Sequence, residues 1–336
     1  MIHFRKIALS LAFASVLILS ACSPSEEKVI TLRGACQFDE AHVFSRTLFE
    51  FERLVKEYYE GPVEFEFFLS GGLGLEKDYF GYMSQGVTLD FAFVAPSNMA
   101  TFSRAAPLMD MPMLFRDRAH WEQVLASDVL QPIAEEVENR ADVKLIGFAG
   151  GGVRNILARR PITTLAELDG LAIRVMGAPI QARIFSALHA SPTIISYAEV
   201  YNAVQTGVID AAENEATGIT QMKFYEVGPE ISLTKHAITV RPLAFSGSTF
   251  RRLPPDLQAA ILRAGREAGA FGRAAESQED SAVLAKLVHE GKARVHEFTD
   301  REHLLRLAEP VKQAYAQEIG AETILEKINA VHESSR

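Results

Sequence analysis

The chain has 336 residues, 48% hydrophobic and 23% charged, which is length enough for two domains and the balance of a globular protein. Its formal charge of −9 argues against a nucleic-acid partner, whose binding is dominated by basic contacts to phosphate. Of its two cysteines, Cys22 closes the apolar N-terminal segment and is expected to be lipidated; Cys36 then stands alone, which excludes an intramolecular disulfide and a paired-cysteine metal site.

Met1 to Lys6 form a basic start, and residues 7–19 are an apolar run too short for a comfortable membrane span. The run ends in Leu19-Ser20-Ala21-Cys22, which resembles the lipobox of bacterial lipoproteins. Residues 1–21 are therefore expected to be a signal peptide. Lipidation of Cys22 would leave a membrane anchor on a polar leash over 22–28, with ordinary secretion as the alternative. Cleavage removes Arg5 and Lys6 and no acid, so the formal charge falls by two, to −11. A site for an anion must then work through local arginines in a cleft, not by whole-protein steering.

Residues 29–35 read as a first strand, closed by Cys36, which is expected to be a buried, inert thiol. Over 44–58, Phe44, Leu48, Phe51, Leu54, Val55 and Tyr58 fall at helical spacing, stopped by Gly61-Pro62. From 63 to 69 the pattern alternates as a half-buried strand does, with Glu64 and Glu66 outward. The turn Ser70-Gly71-Gly72-Leu73-Gly74 leads into a helix over 75–85, and 89–95 is a buried strand. Those glycines lack the Gly-Lys-Ser/Thr ending of a phosphate loop, so the turn serves mainly to start a helix whose first N–H groups face a cleft. Lys77, in its first turn, is a candidate second cation or else a solvated surface lysine. Residues 110–117 (DMPMLFRD) form a loop, and a helix follows over 120–130 with Trp121, the single tryptophan, in the core. Another strand covers 143–148. Gly150-Gly151-Gly152 then lets the chain cross sharply between lobes and brings Arg154 to the cleft, a linker arginine being the alternative.

A second unit follows. Residues 172–176 are a strand, 178–188 a helix, 193–196 a strand, 198–205 a helix closed by Gly207, and 208–212 a strand ending in Glu213-Asn214. Both units alternate as parallel α/β sheets do, which implies two lobes with a cleft between them. Ligands of such sheets sit outside the carboxyl ends of the strands, where Arg174 and Asn214 lie. Arg174 interrupts an apolar strand between Ile173 and Val175, where an unpaired guanidinium is costly. Its partner is either an internal acid or a ligand carboxylate gripped by the planar fork. Residues 237–250 run extended toward the first lobe. From Pro254 a helix continues to about residue 290, with Leu257, Ile261, Ala268 and Phe271 on one stripe. A short strand over 292–298 and helices over 301–318 and 321–331 close the chain.

The runs GLAIRV (170–175), ASPT (190–193), EVYNAVQTGVIDAAEN (199–214), KFYEV (223–227) and LTKH (233–236) resemble the solute-binding proteins of tripartite ATP-independent periplasmic (TRAP) transporters, the DctP-type family. Upstream, MPMLFRD (111–117) and Arg154, seven residues before Pro161-Ile162, keep the same order and spacing. The resemblance implies an α/β, two-lobed periplasmic-binding-protein fold, type II-like. Lobe I would cover 29–150 and lobe II 151–240. Crossing strands, a long helix spanning both lobes and C-terminal helices would occupy 241–336. It implies further that Arg174 clamps the carboxylate of an organic acid, that Asn214 and Arg154 assist, and that Tyr197 packs on the ligand or else in the core. Glu76, Lys77, Ser97 and His42 complete the candidate ligand-binding set. Glu215 departs from the family's usual proline. The implied function is capture of a small organic acid for secondary uptake by a TRAP-type permease, in the periplasm or at the cell surface, with no cofactor and no metal. A sensor or chemoreceptor module is the alternative. An enzyme acting on an organic acid is disfavoured, since G-x-S-x-G and H-E-x-x-H are absent and the acids Asp210 and Glu213 face no nucleophile.

Overall fold

The computed structural model describes residues 29–331; the expected signal peptide, Cys22 and the leash lie outside the described residues. The first unit comprises β1 (Ile30–Ala35), α1 (Val43–Tyr58), β2 (Val63–Phe68), α2 (Glu76–Gln85) and β3 (Phe91–Phe93). β1 runs parallel to β2 and β3. β3 is shorter than the expected 89–95 because the chain turns at Pro96 into a 3-10 helix, Pro96–Met99. α1 buries Phe44, Leu48, Phe51 and Val55 against Phe91, Phe245, Leu257 and Ile261, each side chain contributing roughly 1.5–3 kcal/mol of transfer free energy. The expected helix around Trp121 is α3 (Arg118–Ala126). A second helix, α4 (Gln131–Ala141), was missed in the sequence although Pro132 suits its first turn and Ile133, Val137 and Ala141 mark its buried face.

After β4 (Val143–Ala158) come β5 (Ala172–Val175), α5 (Pro179–Ala187), β6 (Ser191–Ile194), α6 (Val200–Thr206), β7 (Ala211–Asn214) and α7 (Ala216–Gln221). β8 (Glu230–Ser246), α8 (Gly247–Arg252), α9 (Pro255–His289), β9 (Arg294–Glu297), α10 (Arg301–Ile319) and α11 (Glu322–Ala330) complete the chain. The strands form one sheet in the order β2-β1-β3-β8-β4-β7-β5-β6, with β9 added beside β8. β5 is parallel to β6 and β7, so each lobe contributes a parallel triplet. The antiparallel pair β4 and β8 joins the triplets.

The divisions expected after residues 150 and 240 fall inside these two long strands. β4 does not end at 148 but runs on through the triple glycine, which is therefore a bulged strand and not a linker. Its register with β8 slips between Gly150 and Val153, and Gly150 and Gly151 take φ of +116° and +127°. A Cβ on Gly151 would also lie 2.5 Å from Ser277 Oγ of α9. α9, 35 residues long, lies across β4 and reaches both α1 and α7. Its packing face corrects the expected stripe: Leu257, Ile261 and Ala268 are buried, but Phe271 is 41% exposed. Gly265 and Gly269 take inner positions instead, because the strand backbone at Ile146 and Phe148 comes too close for side chains, and Gly272 makes room for the side chains of Thr47 and Ala149. A Cβ on Gly269 would stand 2.8 Å from the backbone N and O of Phe148. Trp121 is fully buried, and burial pushes the Cys36 thiol up to about 11.

Candidate ligand-binding site

The carboxyl ends of both parallel triplets open onto one cavity of about 190 Å³. Gln37 after β1, Ala95 after β3, Met176 after β5, Ile195 after β6 and Asn214 at the end of β7 all face it. This is the crevice in which open α/β sheets hold ligands.

Arg174 enters from β5, where it pairs in register with Thr193 and Ala212. It is 5% exposed, and its Nε donates to Ile195 O at 2.9 Å, fixing the guanidinium plane. No acid among the described residues forms an ion pair with it; the nearby carboxylates are taken by Arg154. Burial lowers its pKa to about 10, and the field of Glu213 only partly offsets that. Of the two partners left open for Arg174, the structure supplies no internal acid.

Asn214 and Tyr197 meet beside it. Asn214 Nδ2 donates to Tyr197 Oη at 2.7 Å, while Asn214 Oδ1 is buried without a partner. Gly218 makes room for the pair, since a Cβ there would lie 2.6 Å from Asn214 Nδ2 and 2.8 Å from Tyr197 Oη. Tyr197 lines the cavity and also packs edge-on against Phe38 and Phe224.

Arg154 also lines the cavity, yet most of its donors point elsewhere. Nε donates to Glu213 Oε2 at 2.5 Å, Nη2 to Glu213 O and Oε1 at 2.9 Å each, and Nη1 to Glu215. His236 Nε2 stands 3.2 Å from Glu213 Oε2 on the far side. Burial alone would lower the Arg154 pKa, but Glu213 and Glu215 together hold it above the ordinary arginine value. Burial would raise Glu213, and Arg154 with His236 reverses this to about 2. Glu215, the departure from the usual proline, is thus a second carboxylate for Arg154.

Two further expected residues reach the cavity. Glu76, buried at the start of α2, accepts from Ala95 N at 2.5 Å and Asn98 Nδ2 at 2.9 Å, both on Oε1. Lys77 is exposed at the rim. Ser97 and His42 are not among the cavity's lining residues. Ser97 donates from Oγ and N to the two carboxylate oxygens of Asp110 at 2.9 and 3.0 Å. His42 caps α1, its Nδ1 accepting from Phe44 N at 3.2 Å, and its ring stacks on Phe38. Burial pushes its pKa down to about 3, so it is neutral.

The sequence reading missed Arg241. It sits in β8, 6% exposed, lines the same cavity, and carries a buried Nε without a partner. Its guanidinium lies 5.6 Å from the centre of the Phe44 ring. Burial would lower its pKa, but Glu76 and Glu215 raise it on balance. The signal was present: Arg241 interrupts the apolar run ITVRPLAF as Arg174 interrupts AIRV.

A cleft between two lobes, held by a long bracing helix and furnished with buried donors for an acid, is the working part of a solute-binding protein. The chain belongs to the bacterial extracellular solute-binding proteins of family 7 (DctP), which match residues 37–319. A solute-binding protein of Sulfitobacter sp. (strain NAS-14.1) is 51% identical over 330 residues, 98% of this chain and all of that one. The crystal structure of a TRAP periplasmic solute-binding protein from Sulfitobacter sp. NAS-14.1 with bound α-D-taluronate has a TM-score of 0.88 at 54% identity, covering 89% of this chain and 97% of that one. A TRAP periplasmic solute-binding protein from Roseobacter denitrificans with bound L-galactonate has a TM-score of 0.81 at 27% identity, covering 90% and 99%.

Proposed function

We propose that this protein captures a sugar acid of the hexuronate class between its lobes and hands it, chemically unchanged, to a TRAP-type membrane permease. The observation that carries this reading is Arg174: a buried guanidinium, anchored at Nε, lining the cavity with no acid paired to it. A carboxylate gripped by its fork would supply the missing counter-charge. Asn214 and Tyr197 stand beside that position, and the remaining lining offers polar groups suited to hydroxyls. Of the two solved relatives, one holds taluronate, a hexuronate, and the other galactonate, a hexonate; both ligands are six-carbon polyhydroxy monoacids, which supports a sugar acid here. Lobe closure of the hinge type would bury the acid.

A thermal-shift screen tests this. A ligand at 100 times its Kd adds about 2.7 kcal/mol of stability. Hexuronates should raise the melting temperature and neutral hexoses should not; equal shifts for both, or none for any acid, would overturn the reading. The tether at Cys22 rests on the sequence alone. Several lipid chains hold a protein stably where a single one does not, so wild type should stay with membranes through a salt wash and Cys22→Ser should not. Wild type in the soluble extract would end that part of the proposal.

A further inference from the structure

Two unpaired, buried guanidiniums face one cavity, and an acid with one carboxylate occupies only one of them. Arg174 comes from a strand of the second triplet, and Arg241 from the part of β8 that pairs with Ala149 and adjoins β3. They therefore approach the ligand from different lobes. Their surroundings differ in charge. Arg241 has three carboxylates, Glu76, Glu215 and Glu276, acting on it against the repulsion of Arg154, whereas Arg174 is repelled by Arg154 and Arg241 and has one carboxylate, Glu213, itself claimed by Arg154. The less compensated cation, Arg174, is the better seat for a carboxylate.

Buried at the cavity and beside it, Arg154, Arg174 and Arg241 meet Glu76, Glu213 and Glu215, with Glu276 and Asp110 buried in the field of Arg241 as well. Asp280, buried behind β4 on the backbone N–H groups of Val153 and Ala216, adds negative charge on the same side. The exposed Lys77 is the remaining cation on the rim. One added negative charge is tolerable there; a second, driven toward Glu76, is not. Glu76 keeps Oε2 available, since both of its bonds fall on Oε1.

We infer that Arg241 and Glu76 read the hydroxylated end of the ligand, the guanidinium donating to vicinal hydroxyl oxygens and the carboxylate accepting from a hydroxyl, so that the protein selects polyhydroxy monoacids over diacids. This rests on the sugar-acid reading above and assigns the opposite end of that ligand.

Titration calorimetry with D-galacturonate, its diacid counterpart galactarate, and succinate tests it, using wild type, Arg241→Met and Arg241→Lys. Wild type should bind galacturonate at least tenfold tighter than either diacid. Arg241→Met should lose at least tenfold for galacturonate and keep its succinate affinity within threefold, collapsing the preference. Arg241→Met removes a cation whose field favours the buried Glu76 and Glu215, so that variant should melt below wild type, and the ratio of affinities between acids carries the test. Arg241→Lys, which keeps the charge without the fork, should show the same collapse and carries the test if the methionine variant does not fold. Equal losses for all three acids would make Arg241 a second carboxylate clamp, and no loss would make it a bystander; either overturns the inference. A wild type that prefers galactarate overturns it too while leaving organic-acid capture intact. A wild type that binds no acid ends the parent reading instead.

Discussion

Replacing Arg174 with alanine separates binding from stability in a way the structure makes quantitative. In the folded protein this side chain gives up hydration for one neutral hydrogen bond to Ile195 O and the face of the Tyr197 ring, 5.6 Å away, with no ion pair. Losing that bond costs about 0.5–1.5 kcal/mol, and removing an uncompensated buried cation returns a similar amount, so the unliganded protein should be as stable as wild type within about 1 kcal/mol. Binding should respond very differently. Removing one partner of a buried charge pair costs on the order of 2–5 kcal/mol, which is about 30- to 4,000-fold in Kd. Arg174→Lys should fare little better, because an ammonium cannot supply two parallel bonds. Calorimetry with a hexuronate and urea unfolding without ligand read the two effects. Wild-type affinity in the alanine variant would refute the assignment. So would a loss of several kcal/mol in the unliganded protein, which would mean that Arg174 already has an internal counter-charge.

Further outcomes follow from the same geometry. Asn214→Ala removes a neutral bond and should weaken binding by about 0.5–1.5 kcal/mol, whereas Tyr197→Ala should reorder the ranking of acids; an unchanged ranking with lost stability would assign Tyr197 to the core alone. His42, held down to about 3 against its ordinary 6.5, contributes stability above pH 6.5 that is lost as pH falls toward 3. Asparagine keeps the helix cap without titrating, so His42→Asn should lose roughly 2 kcal/mol less than wild type between about pH 7.5 and about pH 5 in urea unfolding, and equal losses would count against a buried neutral imidazole. Gly269→Ala drives a methyl into the Phe148 backbone and should destabilise by about 1–3 kcal/mol in urea, with a neutral result excluding the tight seating of α9 on β4.

Much of this fold was legible because its elements carry strong local patterns. α9 runs over 255–289 where the sequence indicated 254 to about 290, and the two alternating units appear as two parallel triplets. What was not legible depends on partners distant in the chain. That the glycines at 150–152 form a bulge inside a continuous strand was not legible, because what crowds them, the Thr239 backbone of β8 at Gly150, α9 at Gly151, and Glu215 with Glu276 at Gly152, lies far along the chain. Phe271 was placed on the buried stripe for the same reason: helical spacing cannot show that the inner face must be glycine. At the site, residue type and strand position located Arg174 and Asn214 at the cavity. They could not show that Glu213 and Glu215 already engage Arg154, nor that Ser97 turns to Asp110. Arg241 went unread although its setting matched that of Arg174, since only the sheet order brings β8 back to the cleft.

A crystal structure with the hexuronate that ranks first in the thermal screen would decide whether Arg174 is the carboxylate seat. Both carboxylate oxygens should lie on the terminal nitrogens of Arg174, within ordinary hydrogen-bond distance, with the lobes closed over the ligand. A carboxylate seated on Arg241 or turned to solvent, with Arg174 facing a hydroxyl or nothing, would contradict that assignment.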